Sequence, residues 1–463
     1  MLVPLFQFST ARVRELLNFH APLWGALEVR DNAKYLGFVI GPGRDQLSWK
    51  PALQKYIDRA KIWGKLGLGM LHGMEAFRAF IASVIMFLAQ LDPLPQEYAA
   101  NEQRACRLLF PGPSAWISNT VLKSLKLMSF PRELFDVSAA ALACRARVAL
   151  HEDAKAGGLR VSTRARRLRS IIACPDRRLR ASQLSHWTSR CFLFSLDAAL
   201  EECRGRGKEA SDMLDRNAAA GRREGWQARA SKVLQVRQVG DVHAHLRRRL
   251  DRWRIQILPG HRVARWLRSM NTISKWVPPR VLGAIYRATF NGWLTARRFQ
   301  QQGQCVLGCN HRDEIEHYAY CARFHQLCGR YVGLSTPEPD ERLADFLIVA
   351  PASVYSSCDC CGRGDERSAS LRAMCVYALF RTHNAVRSGA SRATADGLFR
   401  GFLREASRGH IKVVSVVSSA LSSPDPTTSS LFVFLLSVYC LLLVLLLLVI
   451  LIPCILHVWL CCS

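Results

Sequence analysis

Between residues 305 and 321 the chain carries Cys305, Cys309, His317 and Cys321 in the pattern C-x3-C-x7-H-x3-C. Two thiols across a short turn and a His/Cys pair one helical turn apart can close a tetrahedron. Zinc accepts that mixture of sulfur and nitrogen ligands without geometric strain. Gly308 lets the backbone turn around the ion. All four positions are filled by protein, so the expected site is structural and leaves no place for a catalytic water. The competing reading is a set of ordinary buried thiols near a core histidine. His325 and Cys328 follow closely and are alternative ligands, while Cys358, Cys360 and Cys361 form a second group with no matching histidine.

The wider composition bears on both readings. The 17 cysteines are not spaced as a secreted disulfide framework, and Met1–Phe8 is too short and lacks the basic flank of a signal peptide. A reducing compartment is expected, where close Cys/His groups signal metal more often than disulfide. Lys+Arg outnumber Asp+Glu by 64 to 36, a formal net charge of +28. Arginine supplies most of the excess, and guanidinium forks pair bidentately with phosphate, which favours a polyanionic partner. A bias of the coding sequence toward arginine is the bland alternative.

A chain of 463 residues can bury a sizeable core in two or three domains. The expected fold is mainly α, with a small β element near the amino terminus. Residues 33–40 suit a short strand ended by Gly41-Pro42-Gly43. Leu53, Tyr56, Ile57 and Ala60 repeat at helical spacing, Gly64–Gly73 interrupts the pattern, and a second helix runs from about Glu75 to Gln90. Pro111-Gly112-Pro113 closes a first region, 1–110, and short helices follow over 115–150. Region 111–275 is an arginine-rich helical region in which Leu, Ile and Trp punctuate basic runs, the pattern of amphipathic helices with basic faces. Its stretch 204–224 reads as a linker. Region 280–330 is a small zinc-knuckle-like module, 331–421 a mixed helical region, and 422–430 a Ser/Thr/Pro linker. The run 431–460 contains no Lys, Arg, Asp or Glu. It exceeds the roughly twenty residues that span a bilayer and reads as a carboxy-terminal transmembrane helix, kinked by Pro453. Arg400, Arg404, Arg408 and Lys412 precede it, so the basic domain would stay cytoplasmic on a single-pass tail anchor, with Cys461 and Cys462 as acylation candidates. Without insertion the chain is expected in the nucleus or cytoplasm.

Two patches resemble a known family. Ala33-Lys34-Tyr35-Leu36-Gly37, followed by a turn and a Trp-containing helix, resembles the region after the catalytic palm of non-LTR (LINE-like) retrotransposon reverse transcriptases. Asn291-Gly292-Trp293-Leu294-Thr295-Ala296-Arg297-Arg298-Phe299, then Cys305, Cys309, His317 and Cys321, resembles the carboxy-terminal zinc-knuckle region of such elements. Asp313-Glu314-Ile315-Glu316-His317-Tyr318 matches the run-in to the histidine. The patches cover residues 30–110 and 280–330. The resemblance implies that 1–110 is a post-palm, thumb-like region, which in the family holds the template–primer duplex. The family's polymerase also needs an aromatic-x-Asp-Asp turn and a further aspartate to hold two Mg²⁺ ions. No Asp-Asp pair occurs in this chain, and no endonuclease-like region precedes the first patch. The expectation is therefore a non-catalytic remnant or truncated gene model, beginning downstream of the palm, that binds RNA or DNA without copying it.

Arg247, Arg248, Arg249, Arg252 and Arg254, with Arg297 and Arg298, are the expected phosphate contacts. Trp253, Trp266, Trp276 and Trp293 lie among these arginines and are either stacking platforms for unpaired bases or the core of a small helical domain. Gly67-x-Gly69-x-x-x-Gly73 lacks the strand and Lys-Ser/Thr of a phosphate loop and reads as helix-breaking glycines. His243-x-His245 reads as part of a solvated basic face, and His151-Glu152-Asp153 has no nucleophile nearby. No Gly-x-Ser-x-Gly elbow occurs. No small-molecule substrate is indicated. The alternative function is a tail-anchored membrane protein whose basic cytoplasmic domain faces anionic lipid.

Overall fold

The computed structural model describes residues 10–35, 38–40, 47–113, 116–155, 160–172, 192–217, 225–235, 239–255, 259–349 and 363–408. These residues are mainly helical, with one small two-stranded sheet near the amino terminus. The run 431–460, the Cys358–Cys361 group and the arginine run at 177–180 lie outside the described residues.

Helix α1 (Thr10–His20) is followed by strands β1 (Ala33–Tyr35) and β2 (Phe38–Ile40), which pair antiparallel with Tyr35 opposite Phe38. The sequence pattern suggested one strand over 33–40. Two short strands paired antiparallel stand there instead, because a lone strand leaves its backbone donors and acceptors unpaired.

Helix α2 (Trp49–Gly64) buries Trp49, Tyr56, Ile57 and Ala60 along one stripe, as its spacing predicts. Gly67 and Gly69 take positive φ angles of 59° and 72° and separate α2 from α3 (Gly69–Leu91). Helix α3 begins earlier than its pattern implied. Gly73 is no breaker but a contact point, since a Cβ there would lie 2.8 Å from the Phe110 ring. A π-helical segment over Phe77–Ala82 re-phases α3, which buries Phe77, Ile81, Ile85 and Leu88. By length and composition α3 alone among the described helices could span a membrane, and 44% of its most apolar window is buried inside the fold. Its contacts with α2 and with α6 (below) are those of a core helix.

Helix α4 (Tyr98–Leu109) and the short α5 (Asn119–Lys123) carry a buried polar network. Lys123 Nζ lies 3.0 Å from Glu102 and 3.3 Å from Asp136, and Tyr98 donates to Glu102 at 2.6 Å. The alanine-rich α6 (Val137–Lys155) lets neighbouring helices approach closely. It packs with α7 (Val161–Ile172), α8 (Phe192–Gly205), α9 (Lys208–Asn217) and α10 (Trp226–Leu234) around one apolar cluster. Residues 208–217, expected within a linker, are thus a helix whose Ala210 and Leu214 join that core.

Helices α11 (Val239–Arg252), α12 (Pro259–Ile273) and α13 (Pro279–Thr289) lead to the Cys/His segment. That segment includes α14 (Ile315–Tyr320) and α15 (Ala322–Val332). It is followed by α16 (Arg342–Phe346), the long α17 (Arg363–Arg387) and α18 (Ala395–Ser407). Helix α17 packs on α13, α15 and α18, so it forms the floor beneath the Cys/His segment.

Candidate metal centre

Cys305 and Cys309 sit on a tight turn. The Gly308 N–H donates to Cys305 O at 3.2 Å, and Gly308 adopts φ 86°, a left-handed conformation natural to glycine. Gln304 and Arg312 form an isolated antiparallel bridge that closes the loop, and the Cys305 N–H donates to His311 O at 2.8 Å. His317 is presented by α14, and Cys321 is the residue before the first turn of α15.

The four ligand atoms lie within 4.8 Å of one another. Cys321 Sγ is 4.0 Å from Cys305 Sγ and 3.8 Å from Cys309 Sγ, and Cys309 Sγ is 3.0 Å from His317 Nε2. A tetrahedral ion with metal–sulfur bonds of about 2.3 Å requires sulfur–sulfur edges of about 3.8 Å and sulfur–nitrogen edges of about 3.6 Å. The two Cys321 edges are close to this value, while the Cys309–His317 edge is shorter than it. Cys305 and Cys321 are buried, whereas Cys309 and His317 are half-exposed. The Cys321 thiol is held below the ordinary thiol range first by the Cys305 hydrogen bond and then, against burial, by His317 and the Phe324 N–H. Cys305 is pushed the opposite way by Cys321 and by burial. Two adjacent buried thiols resist joint ionisation, and a bound cation removes that resistance. The arrangement can therefore bind a metal ion.

The alternative ligands are placed elsewhere. His325 is buried with Nε2 2.8 Å from Ala319 O, and Cys328 is hydrogen-bonded with Cys375 of α17. Neither belongs to the four-atom cluster.

Behind the ligands lies Asp313, which is 1% exposed. Its carboxylate accepts the Ala296 N–H at 2.8 Å and the Tyr318 hydroxyl at 2.8 Å, and His383 Nε2 of α17 lies 3.0 Å away. The Tyr318 oxygen in turn accepts the N–H of Val306, the residue next to Cys305, at 3.3 Å. Burial alone raises the Asp313 carboxyl, but His383, the Ala296 N–H and Tyr318 together hold it below the usual carboxylate range. Asp313 thus couples the ligand loop to α17. Asp313 and Tyr318 stood within the run leading to the histidine, but no sequence signal pointed to His383.

The structure sorts the arginine candidates. Arg248, Arg249 and Arg252 share α11, and Arg249 is driven below the usual guanidinium range by burial and then by Arg252, Arg298 and Arg248. Arg298, from a distant stretch, therefore lies within electrostatic reach of the α11 arginines. Arg247 and Arg254 are exposed, Arg254 in a turn with φ 50°. Among the described residues no carboxylate forms an ion pair with these six. Arg297 differs, being held by Glu314 at 2.8 Å and Glu316 at 3.2 Å. His243 is exposed, but His245 is half-buried and stacks on Phe290 with centroids 5.7 Å apart.

Three of the tryptophans are core residues. Trp253, Trp266 and Trp293 are 7%, 0% and 0% exposed. Trp253 and Trp266 donate to the backbone oxygen and hydroxyl of Thr289 at 2.8 and 3.2 Å. Stacking on an unpaired base is closed to them, and Trp276 is half-buried. Comparison of the chain with family models, with characterised proteins and with solved structures yields no match.

Proposed function

We propose that this chain is a zinc-stabilised nucleic-acid-binding protein without polymerase chemistry, akin to the carboxy-terminal, thumb-and-knuckle part of a non-LTR reverse transcriptase. The observation that carries the reading is the gathering of Arg248, Arg249, Arg252 and Arg298 with no carboxylate to neutralise them. Packing like charges side by side costs energy unless a polyanion relieves it. Arg298 lies on the chain that runs directly into the Cys/His turn, so the metal module fixes one side of this basic face. Zinc suits the Cys3His donor set and the sulfur spacing, and a site closed by four protein ligands is structural. Missing Asp-Asp chemistry leaves grip without catalysis.

The test joins metal analysis of the purified chain with binding to RNA and DNA across a salt series. Zinc at one per chain and a steep salt slope are expected. Replacing the four clustered arginines by glutamine should reduce the slope by about three, since each phosphate contact contributes about 0.7–0.9. Failure to bind either polymer at low ionic strength refutes the reading.

A second reading rests on the uncharged run 431–460, which we assign to a bilayer as a membrane span with the basic domain on the cytoplasmic side. A tagged product should resist carbonate extraction, and full release into the soluble fraction refutes insertion. Binding confined to anionic vesicles, with none to nucleic acid, would make membrane attachment the main function.

A further inference from the structure

A second cationic feature lies away from α11 and the metal centre. Two adjoining cavities flank α3, of about 1270 and 450 Å³, and both are lined by Ser83 and Phe87. They adjoin at these two residues of α3 and together make up a trough along that helix. The larger end is walled by α6, α10 and the segment before α6, the smaller by β1, β2 and α2. Neither α11 nor the Arg297–Phe299 turn contributes a lining residue.

The charge of the trough is one-sided. Lys34, Lys55, Arg59, Arg78, Arg147 and Lys232 line it, and among the described residues none of them forms an ion pair. Two acids, Glu133 and Asp136, also line it, but both are occupied. Lys126 is 3.5 Å from Glu133, and Asp136 is held by Lys123 while capping α6 through the N–H groups of Ser138 and Ala139. Six cations without counter-ions along two adjoining cavities match a polyanion better than a small neutral ligand.

The floor narrows the choice of polyanion. Phe87 is 47% exposed at the junction of the two cavities, backed by Phe38 at 6.2 Å. Phe135, which lines the larger cavity with it, is half-exposed beneath the Arg78 guanidinium, 5.8 Å above the ring. Exposed rings between cations provide a surface on which a base stacks while its phosphates are held. A duplex hides its base faces, whereas an unpaired strand offers them. An acidic peptide would use the cations but gain little from the rings.

We infer that this trough holds an unpaired strand of RNA or DNA, with Phe87 as a stacking platform and Arg78, Arg147 and Lys232 as phosphate contacts. The inference shares with the proposed function only the chemical nature of the partner. It adds a second track whose lining shares no residue with the arginine cluster.

The test uses the full chain, a short labelled oligo(U) and a hairpin duplex with the same number of phosphates. Phe87→Ala should weaken oligo(U) binding about tenfold without changing the salt slope. The triple variant Arg78→Gln, Arg147→Gln, Lys232→Gln should lower that slope by about two, since each single-strand phosphate contact contributes about 0.7. All four side chains are exposed, and an unchanged unfolding midpoint verifies that the variants fold. The Phe87→Ala loss should persist in a background carrying Arg248→Gln and Arg298→Gln. Oligo(U) binding unaffected by the trough variants overturns this inference and leaves the arginine-cluster reading standing. Equal competition by polyglutamate, or a Phe87→Ala loss as large for the duplex, also overturns it.

Discussion

Replacing Asp313 by alanine should loosen the metal loop and the helix beneath it together. In the folded chain its carboxylate takes the Ala296 N–H, the Tyr318 hydroxyl and His383 Nε2 at 2.8, 2.8 and 3.0 Å, all away from water. Removing the carboxylate strands three buried donors. Each orphaned donor costs about 1–3 kcal/mol, so a loss of at least about 3 kcal/mol in unfolding free energy is expected. Tyr318 loses the acceptor that orients its hydroxyl toward Val306 N–H, and the Cys305–Cys309 turn loses its support. Outer partners of metal ligands typically set about 10–100-fold in affinity, and a loss in that range is expected here. Asp313→Asn keeps one acceptor oxygen but turns an amide donor toward another donor, so its cost should be smaller, about 1–2 kcal/mol. Urea unfolding in the presence and absence of zinc measures the first quantity, and competition with a chromophoric chelator measures the second. The coupling is refuted if Asp313→Ala unfolds within about 0.5 kcal/mol of the parent chain and retains its metal affinity.

Other substitutions probe separate parts of the argument. Gly292→Ala should destabilise by about 1–3 kcal/mol, because its Cβ would lie 2.8 Å from the Trp116 ring, itself pressed against Gly112 on another edge. Trp116→Phe should relieve part of that loss in a double-mutant cycle read by thermal unfolding. Lys123→Ala, which abandons buried Glu102 and Asp136, should cost about 3–5 kcal/mol at neutral pH. Lys123 is held above the ordinary lysine range because the two carboxylates outweigh burial, which pulls the other way and is the largest single influence. Its contribution is therefore complete below about pH 10.4 and lost as pH rises through the folded value, so the parent and variant unfolding curves should converge on the alkaline side. Chelation should lower the unfolding midpoint of the parent chain and leave Cys321→Ser unmoved, while acidification should release the metal, because metal binding requires deprotonated ligands. Equal chelator effects on both chains would rule out the four-ligand site.

Much of this protein is readable from local sequence. The four residues of the Cys/His cluster fall between residues 305 and 321, and a turn glycine with one helical repeat is enough to bring them together. The stripe of Tyr56, Ile57 and Ala60 is likewise a local matter, since a helix carries residues three and four apart on one face. What local pattern misjudged has a common cause. Gly73 looked like a breaker and Trp266 and Trp293 like possible stacking platforms until packing assigned each a neighbour: the Phe110 ring, the Thr289 hydroxyl, and the rings around His383. Asp313 and His383 stand 70 positions apart, and Arg249 comes within electrostatic reach of Arg298 only in the folded chain. Periodicity records which face of an element is apolar, but not which other face it meets. The ligand set was therefore written in the sequence, whereas the support behind it, the gathered arginines and the trough along α3 arose only when distant surfaces were packed together.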